Sequence, residues 1–361
     1  MRCPDLRSGS LKVAVLYIGG VIGAGFASGQ EIMQFFAVFG TRGLWGVALA
    51  TALFVYLGVA VQTTAVRLES TGYREVLEHL LGRSLAAVMD RLSLGMLLVG
   101  LGIMLAGSGA IFQEQLGLPP AAGVLVLAAL IVAVLWGGLN GVVTVNAVLV
   151  PLKLGLVIGV ALLALATAWG SPGSAAHAGA SPPGLLAGNW VWAALLYVSY
   201  NMVVPVAVLS TLGRHLSPAE AVRGALAGGI MLGLAAGVVA AAIIAHYGQV
   251  RLYQVPLLYL AGAVHPVVGV MFSVAIWLAV FTTGIANAHG FAGRLALPGS
   301  RGYRLAGLGA TLIMVPVALL GFVTLVRFFY PLFGLIGLVL AGVLLSRPVA
   351  GFWRERAKIG I

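Results

Sequence analysis

Ten stretches of this chain are each apolar for about the length that crosses a lipid bilayer, and little sequence is left between them. A hydrocarbon core of about 30 Å takes about 20 helical residues. The stretches run approximately over 11–39, 43–67, 91–113, 121–138, 141–169, 189–212, 219–247, 265–293, 303–321 and 323–346. Across the 361 residues, 61% are hydrophobic and 8% are charged. A soluble domain carries roughly 25% charged residues, so this chain has too few polar groups to coat a water-facing surface. The expectation is an all-α integral membrane protein with about ten transmembrane helices. Its 51 glycines suit helices that approach closely in lipid.

The net charge of +11 is distributed by side. With the N-terminus cytoplasmic, the outer side holds only Arg42 and Arg251, and Lys153 and Arg327 fall inside spans. All the other Lys and Arg residues lie on the inner side. This is the positive-inside pattern of an inner-membrane protein with both termini cytoplasmic, and it replaces a nucleic-acid explanation of the charge. Cys3 has no second cysteine to pair with. No His/Cys cluster suggests a metal, and no cofactor motif is present. Met1 to Ser10 is too short for a separate secretory signal, so the first apolar run is expected to be a retained span.

The chain reads as one transmembrane domain over 1–361. Ten spans divide into two sets of five, approximately 11–169 and 189–346. An odd number per half forces the halves into opposite orientations, which is the arithmetic of an inverted repeat. Residues 68–90 carry Arg74, Glu75, Glu78 and Arg83 among Val76, Leu77 and Leu80, and read as a short amphipathic helix on the membrane surface. Residues 170–188 are rich in Gly, Pro, Ser and Ala and read as a flexible loop, and 248–264 is a further long connection.

Spans one and six carry the strongest local signals. Five glycines stand between 19 and 29 in the middle of span one, each costing about 1 kcal/mol against alanine in a helix. They favour local unwinding around Gly23, Ala24, Gly25, Phe26, Ala27 and Ser28; the other reading is close packing against a neighbouring helix. Unwound backbone in a bilayer must be buried in protein or line a cavity. The glycine spacing is neither a phosphate-binding loop nor a dinucleotide fingerprint. Span six holds Tyr197, Ser199, Tyr200 and Asn201 ahead of Pro205, which lacks an N–H and clashes with the carbonyl four residues earlier. Polar side chains at that depth face a bundle interior or a cavity, or bond across helices around a proline kink. Breaks at matching places of the two halves mark a midplane binding site.

Few charges lie inside the spans. Lys153 is placed near mid-bilayer in span five, where a charged amine is expensive. Glu31 and Arg327, near the outer ends of spans one and ten, suggest an ion pair that latches an outer gate, or two separate charges in water. Glu114 reads as an ordinary interfacial charge. Thr282 and Thr283 place two hydroxyls in the middle of span eight, available to a ligand or to their own helix backbone.

The run Ile22-Gly23-Ala24-Gly25-Phe26-Ala27-Ser28-Gly29-Gln30-Glu31 resembles the signature of the YkvI-like membrane proteins. It is also similar to the Gly-Ser-Gly-Ile-Phe type motif of the amino acid/polyamine/organocation transporter superfamily. That resemblance implies the LeuT-type 5+5 inverted-repeat fold, with discontinuous helices one and six. It implies that backbone around Ala24 to Ser28 holds a substrate carboxylate, and that backbone from Tyr197 to Asn201 takes the substrate amine. It places Gly19, Ile22, Ala279, Thr282 and Thr283 where sodium-coupled members hold a cation. It also matches Asn146 to Leu154 to the fifth span of sodium-independent members, whose lysine amine, here Lys153, fills the same space. Span three departs from sodium-coupled relatives, with Gly107, Ser108 and Gly109 where a tyrosine often closes the site.

The resemblance thus implies a secondary active transporter of a small amino-acid-like solute. A fixed ammonium at Lys153 would repel sodium, which favours proton coupling or exchange, with sodium symport as the alternative. A channel or membrane sensor is the alternative of another class. Channels line pores by oligomeric symmetry, and the oligomeric state is open. An enzyme is not expected: the histidines are scattered, with no nucleophile–base set.

Overall fold

The computed structural model describes the backbone of residues 6–137, 142–168 and 189–346, and side chains within 9–137, 151–167 and 189–346. The chain is all-α. Span one comprises three helices, α1 (Leu6–Val21), α2 (Ala24–Ser28) and α3 (Gln30–Phe35). Span two is α4 (Thr41–Arg67), and α5 (Tyr73–Leu116) contains span three. Spans four and five are α6 (Pro120–Gly137) and α7 (Val142–Ala168). Span six is α8 (Trp190–Leu209), continued by a 3-10 turn, Ser210–His215, and span seven is α9 (Pro218–Ala245). Two short helices, α10 (Tyr247–Val250) and α11 (Pro256–Val264), precede α12 (Pro266–Leu295), α13 (Arg301–Ala318) and α14 (Phe322–Ser346), which are spans eight to ten. Every expected span coincides with helix. Seven of these helices are long and apolar enough to cross a membrane, and Gly9–Val21 and Pro151–Thr167 are shorter apolar stretches.

The packing separates two groups. Helices α1, α4, α8 and α9 pack on one another, and so do α5, α6, α12 and α13. Flanking them, α14 rests on α8 and α5, while α7 rests on α9, α11 and α12. Small residues set the approach in the first group. The Tyr17 ring of α1 lies against Gly58 of α4 and Gly228 of α9, where any side chain would collide with it. Its hydroxyl donates to the Phe54 carbonyl at 2.7 Å and lies 3.2 Å from Sδ of Met202, tying α1 to α4 and α8.

Three expectations change. The amphipathic segment does form a helix, but it ends at Gly82, whose φ of 73° and ψ of 162° break α5, and helix then runs on from 83 to 116. Span three therefore begins before residue 91. The connection 248–264 is largely helical, in α10 and α11. Span six is not discontinuous: helix runs through Tyr197–Val204 and past Pro205 to Leu209. One proline removes a single ladder bond, and the polar side chains reinforce the rest. Ser199 Oγ donates to the Leu195 carbonyl at 2.7 Å, and Asn201 Nδ2 to that of Tyr197 at 3.0 Å. The expected loop at 170–188 and the side chain of Asn146 lie outside the described residues.

Candidate functional site

Span one breaks where the glycines cluster. Helix α1 ends at Val21; the Ile22 N–H still donates to the Ile18 carbonyl at 2.8 Å, and the chain breaks at Gly23, which is extended at φ −88° and ψ −169°. The Gly23 N–H turns back to the Val21 carbonyl at 2.8 Å. A second break follows at Gly29, which takes the left-handed conformation at φ 81° that glycine alone adopts without cost. Ser28 holds this junction: its Oγ donates to the Gly25 carbonyl at 2.6 Å and accepts the Gln30 N–H at 3.1 Å. A side chain added at Gly23 would meet nothing within 4 Å, so the first break opens on free space. Gly20, just before it, faces the Pro205 ring of α8, and a methyl group on Gly20 would stand 3.4 Å from that ring. The break and the proline of span six therefore do face each other, although only span one is unwound.

Above the break sits a buried carboxylate. Glu31, on α3, is 4% exposed. The Tyr200 hydroxyl of α8 donates to its Oε2, and the Tyr330 hydroxyl of α14 is its second hydrogen-bond partner. Oε1 lies against Gly25, where a methyl group would overlap it. The two tyrosines belong to an aromatic cluster. Tyr200 and Tyr330 lie 4.9 Å apart at 34°, Phe35 is 5.7 Å from Tyr200, and Tyr197 is 5.4 Å from Phe35 and 5.7 Å from Tyr200. The Tyr197 hydroxyl, within electrostatic reach of Glu31, is fully buried and has no hydrogen-bond partner among the described residues. Both amide atoms of the buried Gln30 are likewise unpartnered.

This corrects the expected outer gate. Arg327 is exposed on α14, and among the described residues no ion pair joins it to Glu31. Glu31 points inward because α3 restarts at Gly29, which rotates its face toward α8 and α14. Of the expected solute-binding residues, Gly25, Tyr197 and Tyr200 come together around Glu31, and Gly23 and Ala24 border the break. Phe26 and Ala27 are sunk in the core, and Ser28, Ser199 and Asn201 spend their side chains on backbone bonds. Tyr330 and Gln30 escaped the sequence reading. Tyr330 stands directly before Pro331 inside a span, and a tyrosine near a mid-span proline is the signal read in span six.

The expected ion-coupling residues are also placed. Lys153 is 5% exposed on α7, which packs against both α2 and α12. Helix α12 in turn packs on α2 and carries the buried Ala279 and Thr282 and the half-buried Thr283. Thr282 Oγ1 donates to the Ala279 carbonyl at 3.2 Å. Ile22 is fully buried and Gly19 half-buried beside the break. Among the described residues no cluster of His, Cys, Asp and Glu could hold a metal.

Glu114 is more than an interfacial charge. From the C-terminal end of α5, its Oε1 accepts the Gln254 N–H and its Oε2 the Val255 N–H at 3.2 Å, just ahead of α11. Helix α11 covers span one, with Leu257 in contact with Gly29.

A broken first span, two four-helix groups and two flanking helices define an all-α membrane protein of the LeuT-type transporter fold. Solved structures share it. MhsT in complex with L-phenylalanine matches at a TM-score of 0.61 and 18% identity, covering 92% of this chain and 88% of that one. A Na+-coupled sialic acid symporter matches at 0.55 and 14%, covering 93% and 78%. The Eremococcus coleocola manganese transporter matches at 0.54 and 16%, covering 89% and 72%. These are transporters, not enzymes. In sequence, the chain is 28% identical over 354 residues to the uncharacterized membrane protein YkvI of Bacillus subtilis (strain 168), covering 94% of this chain and 96% of YkvI. It is 29% identical over 351 residues to the uncharacterized protein YyaD of the same organism, covering 95% and 98%. No protein-family model matches the sequence.

Proposed function

We propose that this protein is a secondary transporter that moves a small amino-acid-like solute across the cell inner membrane by alternating access. The observation that carries this reading is the break of span one at Ile22–Gly23. It opens on free space, Gly20 just before it faces Pro205, and Gly25 just after it meets Glu31, within electrostatic reach of the Tyr197 hydroxyl, which has no hydrogen-bond partner among the described residues. Buried hydroxyl and amide groups cost free energy unless something bonds them, and a solute at this depth would do so. The site includes Gly23, Ala24, Gly25, Tyr197, Tyr200 and Glu31. The group of α1, α4, α8 and α9 would tilt against that of α5, α6, α12 and α13, as the inverted repeat of 11–169 and 189–346 allows. Both termini face the cytoplasm, in keeping with the Lys and Arg distribution.

The coupling ion is a proton, or the cycle is an exchange stabilised by Lys153. A buried lysine on a helix touching both α2 and α12 supports this over sodium. Purified protein in proteoliposomes, given a panel of labelled amino acids and amines, tests the proposal. Saturable uptake that one solute inhibits for another supports it. Non-saturating flux with unitary currents would make the protein a channel instead.

A further inference from the structure

The expected place for a solute carboxylate is already taken. Backbone near Gly25 is where a substrate carboxylate would sit by resemblance, and there the protein sets the carboxylate of its own Glu31. Two carboxylates a few ångströms apart in a low-dielectric site repel strongly. The surroundings of Glu31 have a chemistry of their own. Tyr200 and Tyr330, which bond the group, belong to a cluster with Phe35 and Tyr197 whose ring centroids lie 4.9 to 5.7 Å from one another. A carboxylate beside an aromatic cluster suits an organic ammonium ion: the carboxylate would supply a charge-assisted hydrogen bond, and rings that the ion's alkyl groups reach would supply cation–π attraction.

Among the described residues, none brings a cation to this carboxylate. Helix α3 packs against α2, α8, α9 and α14. Helices α2 and α8 carry no charged side chain, α9 carries only Glu220 and Arg223 in its first turns, and Arg327 of α14 is exposed. The titratable groups facing Glu31 are the hydroxyls of Tyr197, Tyr200 and Tyr330. A carboxylate buried this far is costly unless a proton or a cation neutralises it. The Tyr197 hydroxyl, within electrostatic reach of Glu31 and without a partner among the described residues, supplies a further donor and acceptor.

We infer that Glu31, beside the cluster of Phe35, Tyr197, Tyr200 and Tyr330, is the recognition site for an alkylammonium group, and that the solute is a small organic cation without a carboxylate at that end. This rests on the transport reading above and narrows its solute. On binding, the ammonium donates to the carboxylate alongside the Tyr200 and Tyr330 hydroxyls, since a carboxylate has about four acceptor sites. No covalent bond changes.

The test uses proteoliposomes of the full chain with labelled choline, methylammonium and 1,4-diaminobutane as cations, L-leucine as zwitterion and L-glutamate as anion. Expected are saturable uptake of at least one cation, inhibition by the others, and little effect of L-glutamate. Glu31→Gln lowers that uptake more than tenfold, and Tyr200→Phe raises KM several-fold with a smaller effect on kcat. Thermal unfolding of each purified variant verifies folding, and loss of the cation-induced rise in unfolding temperature in Glu31→Gln gives a second readout without transport. Uptake of L-leucine alone, with a KM unchanged in Glu31→Gln, overturns the inference and leaves the transport reading standing. If that variant loses only the pH dependence of uptake, Glu31 is a proton carrier and the inference also falls. Absence of saturable uptake for every probe overturns the transport reading itself.

Discussion

A methyl group on Gly337 of α14 would overlap the carbonyl oxygen of Ser199 on α8. The two helices thus touch backbone to backbone, and Gly334 repeats the contact one turn earlier against Leu196. This contact fixes the distance between Tyr200 and Tyr330, the two hydroxyl partners of Glu31. Gly337→Val is expected to lower stability by about 1–3 kcal/mol, as overpacking does, read as a lower unfolding temperature in detergent. It should also weaken uptake by separating the two tyrosines. Ser199→Ala should leave uptake near wild type, since the Ser199 hydroxyl is spent on the Leu195 carbonyl. A large loss in Ser199→Ala would return that residue to the solute site.

Glu114 is expected to pin α11 over span one. Its carboxylate accepts the N–H groups of Gln254 and Val255, and Gln254 Nε2 also donates to Gln113 Oε1 at 2.9 Å. Glu114→Ala orphans two amides at the start of α11 and frees that helix from α5. Hydrogen exchange across 254–264 should rise by at least about tenfold, the scale of one lost charged hydrogen bond of about 1.5–3 kcal/mol. Unchanged exchange would mean that the contact of Leu257 with Gly29 holds α11 without the carboxylate.

The fold was legible because each layer of the sequence agreed with the next. Apolar runs located ten spans, the glycines of 19–29 located the break in span one, and these features are strictly local. Pro205 misled, because a proline announces a missing donor but not whether the helix on either side survives it. In span six it survives, since Ser199 and Asn201 bond the turn before. Glu31 misled for a different reason. Its depth is readable from position, but the direction of its side chain depends on the left-handed turn at Gly29, which fixes the helical phase of α3 only once the chain is folded. The cluster with Tyr330 joins residues 299 positions apart, from 31 to 330, and no spacing rule reaches that far.

Tyr17 offers a test of how the first helical group is held. Its buried hydroxyl bridges the Phe54 carbonyl and Met202. Tyr17→Phe removes both contacts and nothing else, so stability should fall by about 1 kcal/mol. The ring still fills the space against Gly58 and Gly228, so the fold persists. Thermal unfolding of the variant beside wild type measures the difference. A loss of several kcal/mol would show that the hydroxyl organises the group rather than merely joining it.

Lys153 separates the two coupling schemes. It lies buried on α7, and α7 meets α2 and α12, the helices that flank the break and carry Thr282 and Thr283. A protonated amine there would tie the region below the break to α12 through carbonyls and hydroxyls, and a neutral amine would release it and let the inner side open. A fixed ammonium at that distance also opposes a sodium ion, because two like charges in a poorly screened interior repel strongly. Uptake is therefore expected to persist in sodium-free buffer and to vary with pH. Lys153→Ala should abolish the pH dependence or the transport itself. Thr282→Ala, which loses only a hydroxyl bonded to its own helix at Ala279, should have the smaller effect. The converse pattern decides for sodium: uptake that requires sodium, survives Lys153→Ala and is abolished by Thr282→Ala combined with Thr283→Ala. The two patterns share no outcome, so one set of uptake curves in sodium and in choline-free potassium buffer, across pH, distinguishes them.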